Sequence, residues 1–135
     1  MSYSIQDIEG IGPSYGEKLA AADVKTTDDL LKFCCDPKGR KAMAEKTGLG
    51  ETLILKWANM ADLMRVSGVG PEYAELLEAA GVDTVKELAT RNAENLAAKM
   101  VEVNAEKKLT RAEPAQSVVE KWVGGAKGLT PTMTY

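Results

Sequence analysis

The sequence predicts an all-α protein built from two copies of one short helical-hairpin unit. Three observations carry this. Ile5 to Leu30 aligns with Leu63 to Leu88 without a gap, at a constant offset of 58 residues. Each copy holds a Gly-hydrophobic-Gly-Pro turn, Gly10-Ile11-Gly12-Pro13 and Gly68-Val69-Gly70-Pro71. Apolar residues recur with the helical period, and no run alternates with period two for long enough to argue for a strand.

The turns sit inside a longer match. Ile8 to Tyr15 faces Val66 to Tyr73, and Leu19, Ala21, Ala22, Val24, Thr26 and Leu30 then meet Leu77, Ala79, Ala80, Val82, Thr84 and Leu88. Further on the copies drift, yet both close on a Lys-Trp pair, Lys56-Trp57 and Lys121-Trp122, with seven more residues in the second copy. Trp57 lies on an apolar stripe with Leu53, Ile54, Met60, Ala61 and Met64, so each tryptophan reads as the anchor of its unit's core.

The elements follow in order. Ser4, with Asp7 three residues on, caps a first short helix that must stop at Gly10. Proline is tolerated at the first helical position, so Gly12-Pro13 restarts the chain as a second helix running to about Ala22, or from Pro71 to Ala80 before Gly81. Thr26 with Asp29 and Thr84 with Glu87 are capping-box patterns that begin the next helix. Asp36-Pro37 starts another, through about Thr47, interrupted by Gly48-Leu49-Gly50. From Glu51 the apolar period continues to Val66, so the last helix of the first copy is expected to run into the second. Asn92 is the next cap, Asn104 to Thr110 reads as irregular, and Gly124-Gly125 should end the closing helix around Trp122. The expected organisation is a first unit over 1–59, a second over 60–129, both packed as one compact body through a shared helix near 51–66, and a flexible tail over 130–135.

Composition narrows the function classes. The apolar fraction is 44%, but there are only one Phe, two Trp and four Tyr, so the core must rest on Leu, Val, Ile, Met and Ala. The net charge of −3 and a pI near 5.1 oppose non-specific binding to phosphate unless basic residues are gathered in one place. Without histidine, the commonest general base and zinc ligand are missing. No P-loop, nucleophile elbow or metal-ligand cluster is found, so no catalysis, metal, cofactor or small-molecule substrate is expected. Cys34 and Cys35 are adjacent and cannot form an ordinary bridge, and they read as reduced thiols. The first residues show no basic stretch leading into an apolar run, and no segment is long and apolar enough for a membrane, so a cytoplasmic protein is expected.

Around Gly10-Ile11-Gly12-Pro13 and Gly68-Val69-Gly70-Pro71 the chain resembles the helix-hairpin-helix superfamily. That motif is hydrophobic-x-x-hydrophobic-x-Gly-hydrophobic-Gly, followed by a helix with a small residue and a leucine. Leu63 or Met64 through Leu77 fits, with Ala74 as the small residue, and Gly48-Leu49-Gly50, between Met43 and Leu53, looks like a weaker third copy. The resemblance spans the chain to about Leu129 and is similar in particular to bacterial stand-alone tandem hairpin proteins of uncharacterised function. It implies paired hairpins that meet DNA through backbone phosphates, without reading sequence. The physical basis is a tight glycine turn that presents the free N–H groups of a helix N-terminus to an anion.

The side chains pull the other way. Pro13-Ser14-Tyr15 and Pro71-Glu72-Tyr73 stand where a DNA-binding hairpin places Lys or Arg. Asp7, Glu9, Glu17 and Asp23 outnumber Lys18 and Lys25 around the first turn, and Glu72, Glu75, Glu78 and Asp83 outnumber Arg65 around the second. The chain therefore reads first as a non-enzymatic adaptor whose acidic hairpins dock a protein partner or a second copy, with Tyr15 and Tyr73 as contacts. The alternative is sequence-independent DNA binding by the basic flanks: Lys38, Arg40, Lys41, Lys46 and Thr47 around Gly48 and Gly50, and Lys107, Lys108 and Arg111 in the second copy. For the tyrosines, core packing competes with partner contact, and for the basic runs, a solvated helix face competes with phosphate contact.

Overall fold

Side chains of Thr26, Asp36, Thr84 and Asn92 cap four of the helix starts in the computed structural model, which describes residues 3–135; the first two positions of the expected first unit lie outside them. Eight helices and no strand are found among these residues. The chain divides into two units, Met1–Asp62 with Thr132–Tyr135, and Leu63–Pro131.

Unit 1 opens with a single 3-10 turn, Ile5–Asp7, whose expected Ser4 side-chain cap is absent. The segment is instead tied down by backbone: the Ile5 N–H donates to the Lys25 carbonyl and the Thr27 N–H to that of Tyr3, both at 2.9 Å. Helix α1, Gly12–Ala21, ends where the Val24 N–H reaches back to the Leu19 carbonyl. This closure puts Asp23 in the left-handed region, with φ +68°. Helix α2, Thr27–Cys34, starts on a complete capping box: the Thr26 hydroxyl accepts the Asp29 N–H and the Asp29 carboxylate accepts that of Thr26, each at 3.1 Å. Helix α3, Pro37–Thr47, is capped by Asp36 and terminated by Gly48 with φ +75°. Three residues later α4, Glu51–Leu63, begins.

Unit 2 repeats the plan with α5 (Pro71–Ala79), α6 (Val85–Ala89), α7 (Ala93–Lys107) and α8 (Gln116–Lys127). Gly81, φ +95°, takes the place of Asp23, and the Val82 N–H donates to the Leu77 carbonyl as Val24 does to Leu19. The second capping box is only half formed. Thr84 accepts the Glu87 N–H at 3.4 Å, but the Glu87 carboxylate is drawn to the Arg91 guanidinium at 2.9 Å. Helices α6 and α7 both pack on α8.

Several expectations give way to packing. Helix α4 stops at Leu63 rather than continuing to Val66. Helix α7 runs through Asn104 to Lys107 because Leu96, Met100 and Val103 keep one face buried, and the irregular stretch starts at Lys108, φ +52°. The Asn104 amide then pins that loop, donating to the Thr110 carbonyl and accepting its N–H. Helix α8 passes through Gly124-Gly125, since Val119, Trp122, Val123 and Ala126 form one buried stripe and hold the helix against the roughly 1 kcal/mol that each glycine costs. Residues Thr132–Tyr135, expected to be loose, lie against unit 1. The Thr134 N–H donates to the Cys35 carbonyl at 2.8 Å, the Tyr135 hydroxyl to Asn59 Oδ1 at 2.8 Å, and Met133 is buried.

Candidate functional site

The two Gly-hydrophobic-Gly-Pro turns share their entrance. Gly10 and Gly68 have φ of +93° and +91°, a region an L side chain rarely adopts. The following Ile11 and Val69 are buried, and their N–H groups donate to the carbonyls of Ile8 and Val66 at 3.2 and 3.0 Å. The second glycines differ: Gly12 has φ +61°, whereas Gly70 is extended at φ −92°. Both turns lead into a helix with Pro in its first turn and no side-chain cap. The N–H groups of that first turn are thus left to solvent or to a ligand.

Behind each turn stands a tryptophan. Trp57 is 1% exposed and Trp122 2%, and each indole Nε1 approaches the first glycine of its turn. A Cβ on Gly68 would lie 3.1 Å from Trp122 Nε1, and one on Gly10 3.9 Å from Trp57 Nε1. Over these indoles lie the tyrosines, with ring centroids 5.2 Å apart for Tyr15–Trp57 and 5.1 Å for Tyr73–Trp122. One face of each tyrosine therefore packs inward; Tyr15 still leaves 37% of its surface exposed and Tyr73 is half-buried. Sequence reasoning placed the tyrosines and the tryptophans separately and missed their pairing. The signal was that both residue types recur at matching places in the two copies.

The basic residues divide. Lys38, Lys41 and Lys46 are exposed on α3, and Lys107, Lys108 and Arg111 are exposed at the end of α7 and in the loop beyond it. Arg40 is different: it is turned inward and only 6% exposed. Its Nη1 donates to the Cys34 carbonyl at 3.1 Å and its Nη2 to that of Thr134 at 2.8 Å, with the Tyr135 ring 5.6 Å from the guanidinium carbon. It cannot serve as the surface phosphate contact expected of it. Thr47 is also occupied, its hydroxyl donating to the Met43 carbonyl and accepting the Leu49 N–H. Gly48 is the helix terminator, Leu49 is buried and Gly50 precedes α4, so this stretch acts as a linker between helices.

Shallow depressions lie away from the turns. In unit 1, Phe33, Gly39, Ala42, Met43 and Lys46 line a shallow groove of about 130 Å³. In unit 2, at the junction of α6 and α7, Ala80, Thr90, Arg91, Asn92, Asn95, Leu96 and Lys99 line a cleft of about 340 Å³. Cys34 is buried beside the α2–α3 junction, and burial pushes its thiol up to about 11, which keeps it neutral at physiological pH. The Asp29 carboxyl is held below its ordinary value, chiefly by the Lys25 N–H. Among the described residues, no group of three or more Cys, Asp and Glu could hold a metal ion, and no helix is long and apolar enough to cross a membrane.

Residues 9–129 match a family model described as Domain of unknown function (DUF4332). No curated protein and no solved structure matches the chain.

Proposed function

The chain belongs to this family of unknown function, and we propose that it is a non-enzymatic binding module whose two helix-hairpin-helix units dock a protein partner or a second copy. One observation carries the reading: a tyrosine laid on a buried tryptophan beside a tight glycine turn, formed twice from equivalent residues. A ring fixed in this way offers contact area with little rotamer entropy left to lose, which suits an interface anchor. The setting is acidic. Glu17 and Glu72 are exposed on the same helices, and no Lys or Arg follows the turns directly. A helix-end dipole worth about 0.3–1 kcal/mol at an exposed site does not overcome that for a phosphate.

The test is quantitative co-purification from the native source with N-terminally tagged protein, together with sedimentation of the purified protein. Wild type should recover a stoichiometric partner or self-associate, and Y15A/Y73A should do neither while keeping its helical circular dichroism. Equal recovery by both proteins would reject the reading.

The row of exposed lysines on α3, Lys38, Lys41 and Lys46, favours sequence-independent DNA binding as a second reading, now without Arg40 and Thr47. Phosphate contacts impose a steep salt dependence. Absence of duplex binding at about 50 mM salt would exclude this as the main function.

A further inference from the structure

Unit 1 shows what its α2–α3 junction does with a length of chain. The Cys35 carbonyl accepts the Thr134 N–H at 2.8 Å. The Cys34 carbonyl anchors Arg40 Nη1, and Arg40 Nη2 reaches on to the Thr134 carbonyl. The non-helical segment Thr132–Tyr135 is thereby gripped at Thr134, through both its N–H and its C=O.

The corresponding junction in unit 2 is found by its caps. Asp36 and Asn92 both cap the following helix, each side chain accepting the N–H three residues on, from Gly39 at 2.7 Å and Asn95 at 3.0 Å. Counted from these caps, Cys34, Cys35 and Arg40 correspond to Thr90, Arg91 and Leu96. All three of the latter line the open cleft of about 340 Å³, which is at the low end of ligand pockets, roughly 300–1,000 Å³. The positions that hold a chain segment in one unit line an open cleft in the other.

The chemistry of the walls has changed in one direction. Leu96 cannot donate as Arg40 does, but Arg91 and Lys99 bring two cations to the rim. Arg91 uses Nε and Nη2 on Glu87 and the Gly81 carbonyl, leaving its Nη1 edge without a bond among the described residues. Lys99 is half exposed and sits 3.9 Å from Glu102, the loose end of an ion pair. Asn95 adds an exposed side-chain amide.

We propose that the α6–α7 cleft of unit 2 docks an extended peptide segment of a protein partner that carries an acidic side chain. Its backbone pairs at the Arg91 carbonyl as Thr134 pairs at Cys35, and its carboxylate meets Arg91 and Lys99. This site is separate from the hairpin turns and stands whether or not they bind a partner.

A degenerate octapeptide library passed over the immobilised full chain, tagged at its N-terminus, tests this. Wild type should enrich Asp or Glu at one position of the bound fraction, about tenfold for a charge-assisted contact. Lys99→Glu should remove that preference, and Asn95→Trp, which fills the cleft, should remove binding; both positions are exposed, so circular dichroism should be unchanged. No acidic enrichment by wild type, or enrichment that survives either variant, would overturn the proposal.

Discussion

Tyr73 lies against Trp122 with ring centroids 5.1 Å apart and planes tilted by 54°, within the range at which aromatic rings attract each other. The pair closes unit 2 directly behind its glycine turn. Removing the outer ring should therefore loosen the turn before it disturbs the rest of the core.

Tyr73→Ala and Tyr15→Ala are each expected to cost roughly 1–2 kcal/mol, combining the aromatic pair with part of a half-buried ring. Trp122→Ala should cost far more, about 3–5 kcal/mol, because that indole is almost wholly enclosed. Urea unfolding followed by circular dichroism ranks the three. A tyrosine variant as damaging as the tryptophan one would show that the ring belongs to the core rather than to its lid.

Two glycine-to-alanine changes should act in opposite directions. A Cβ on Gly39 would stand 1.9 Å from the Phe33 carbonyl oxygen, so α2 and α3 would have to part, at a cost of about 3 kcal/mol or more. At Gly124 a Cβ would meet nothing within 4 Å, and Gly124→Ala should stabilise α8 by up to about 1 kcal/mol. Thermal melts of the two variants decide. A destabilised Gly124→Ala would mean that the closing helix needs its glycine.

That second site also shows what the sequence could and could not convey. Local punctuation was legible where one residue decides the outcome: Asp36-Pro37 and Gly48 bracket α3 in the structure as they do in the sequence. Gly124-Gly125 looked like a stop, but Val123 and Ala126 continue a buried stripe that only the folded unit reveals. Arg40 was misjudged because its neighbours Lys38 and Lys41 made the whole run look solvated. Its spacing of three from Met43 placed it on the inward face of α3, a signal the charge run concealed. Nothing in the sequence announced that residues ninety-odd positions away would supply its carbonyl partner.

Arg40→Ala should remove two hydrogen bonds from a charged donor and leave the Cys34 and Thr134 carbonyls without them, costing roughly 2–4 kcal/mol. Lys38→Ala and Lys41→Ala, both exposed, should stay within about 0.5 kcal/mol of wild type. Hydrogen exchange gives the sharper readout: the Thr134 amide should lose protection in Arg40→Ala alone. Equal protection in all three would remove Arg40 from its holding role.

Asp23 and Gly81 close equivalent helices with φ of +68° and +95°. An L residue is strained there, and Asp23→Gly is expected to stabilise unit 1 by about 0.5–1 kcal/mol, even after the greater freedom of glycine in the unfolded chain is counted. Gly81→Ala should cost about as much or more, since the new methyl would also approach Arg91 Nη2 at 3.4 Å. Paired denaturation curves test both, and a destabilised Asp23→Gly would mean that the aspartate side chain contributes more than its backbone strain costs.

Alkaline pH should weaken the fold through Cys34. Its ordinary value is 9.0, and burial raises it to about 11 in the folded chain. Well below pH 9 the thiol is neutral in both states and the group adds no pH dependence. Between 9 and 11 the unfolded chain loses this proton and the folded chain keeps it, so unfolding is favoured by up to about 1.4 kcal/mol per pH unit, until the folded thiol also ionises. Cys34→Ala begins less stable because it leaves a small cavity, but it should lack this component of the decline. Urea midpoints under reducing conditions from pH 8 to 10.5 should therefore fall more steeply in wild type than in Cys34→Ala, the span being chosen to straddle the value of 9.0. Parallel slopes would show that the Cys34 thiol ionises in the folded chain as readily as in the unfolded one.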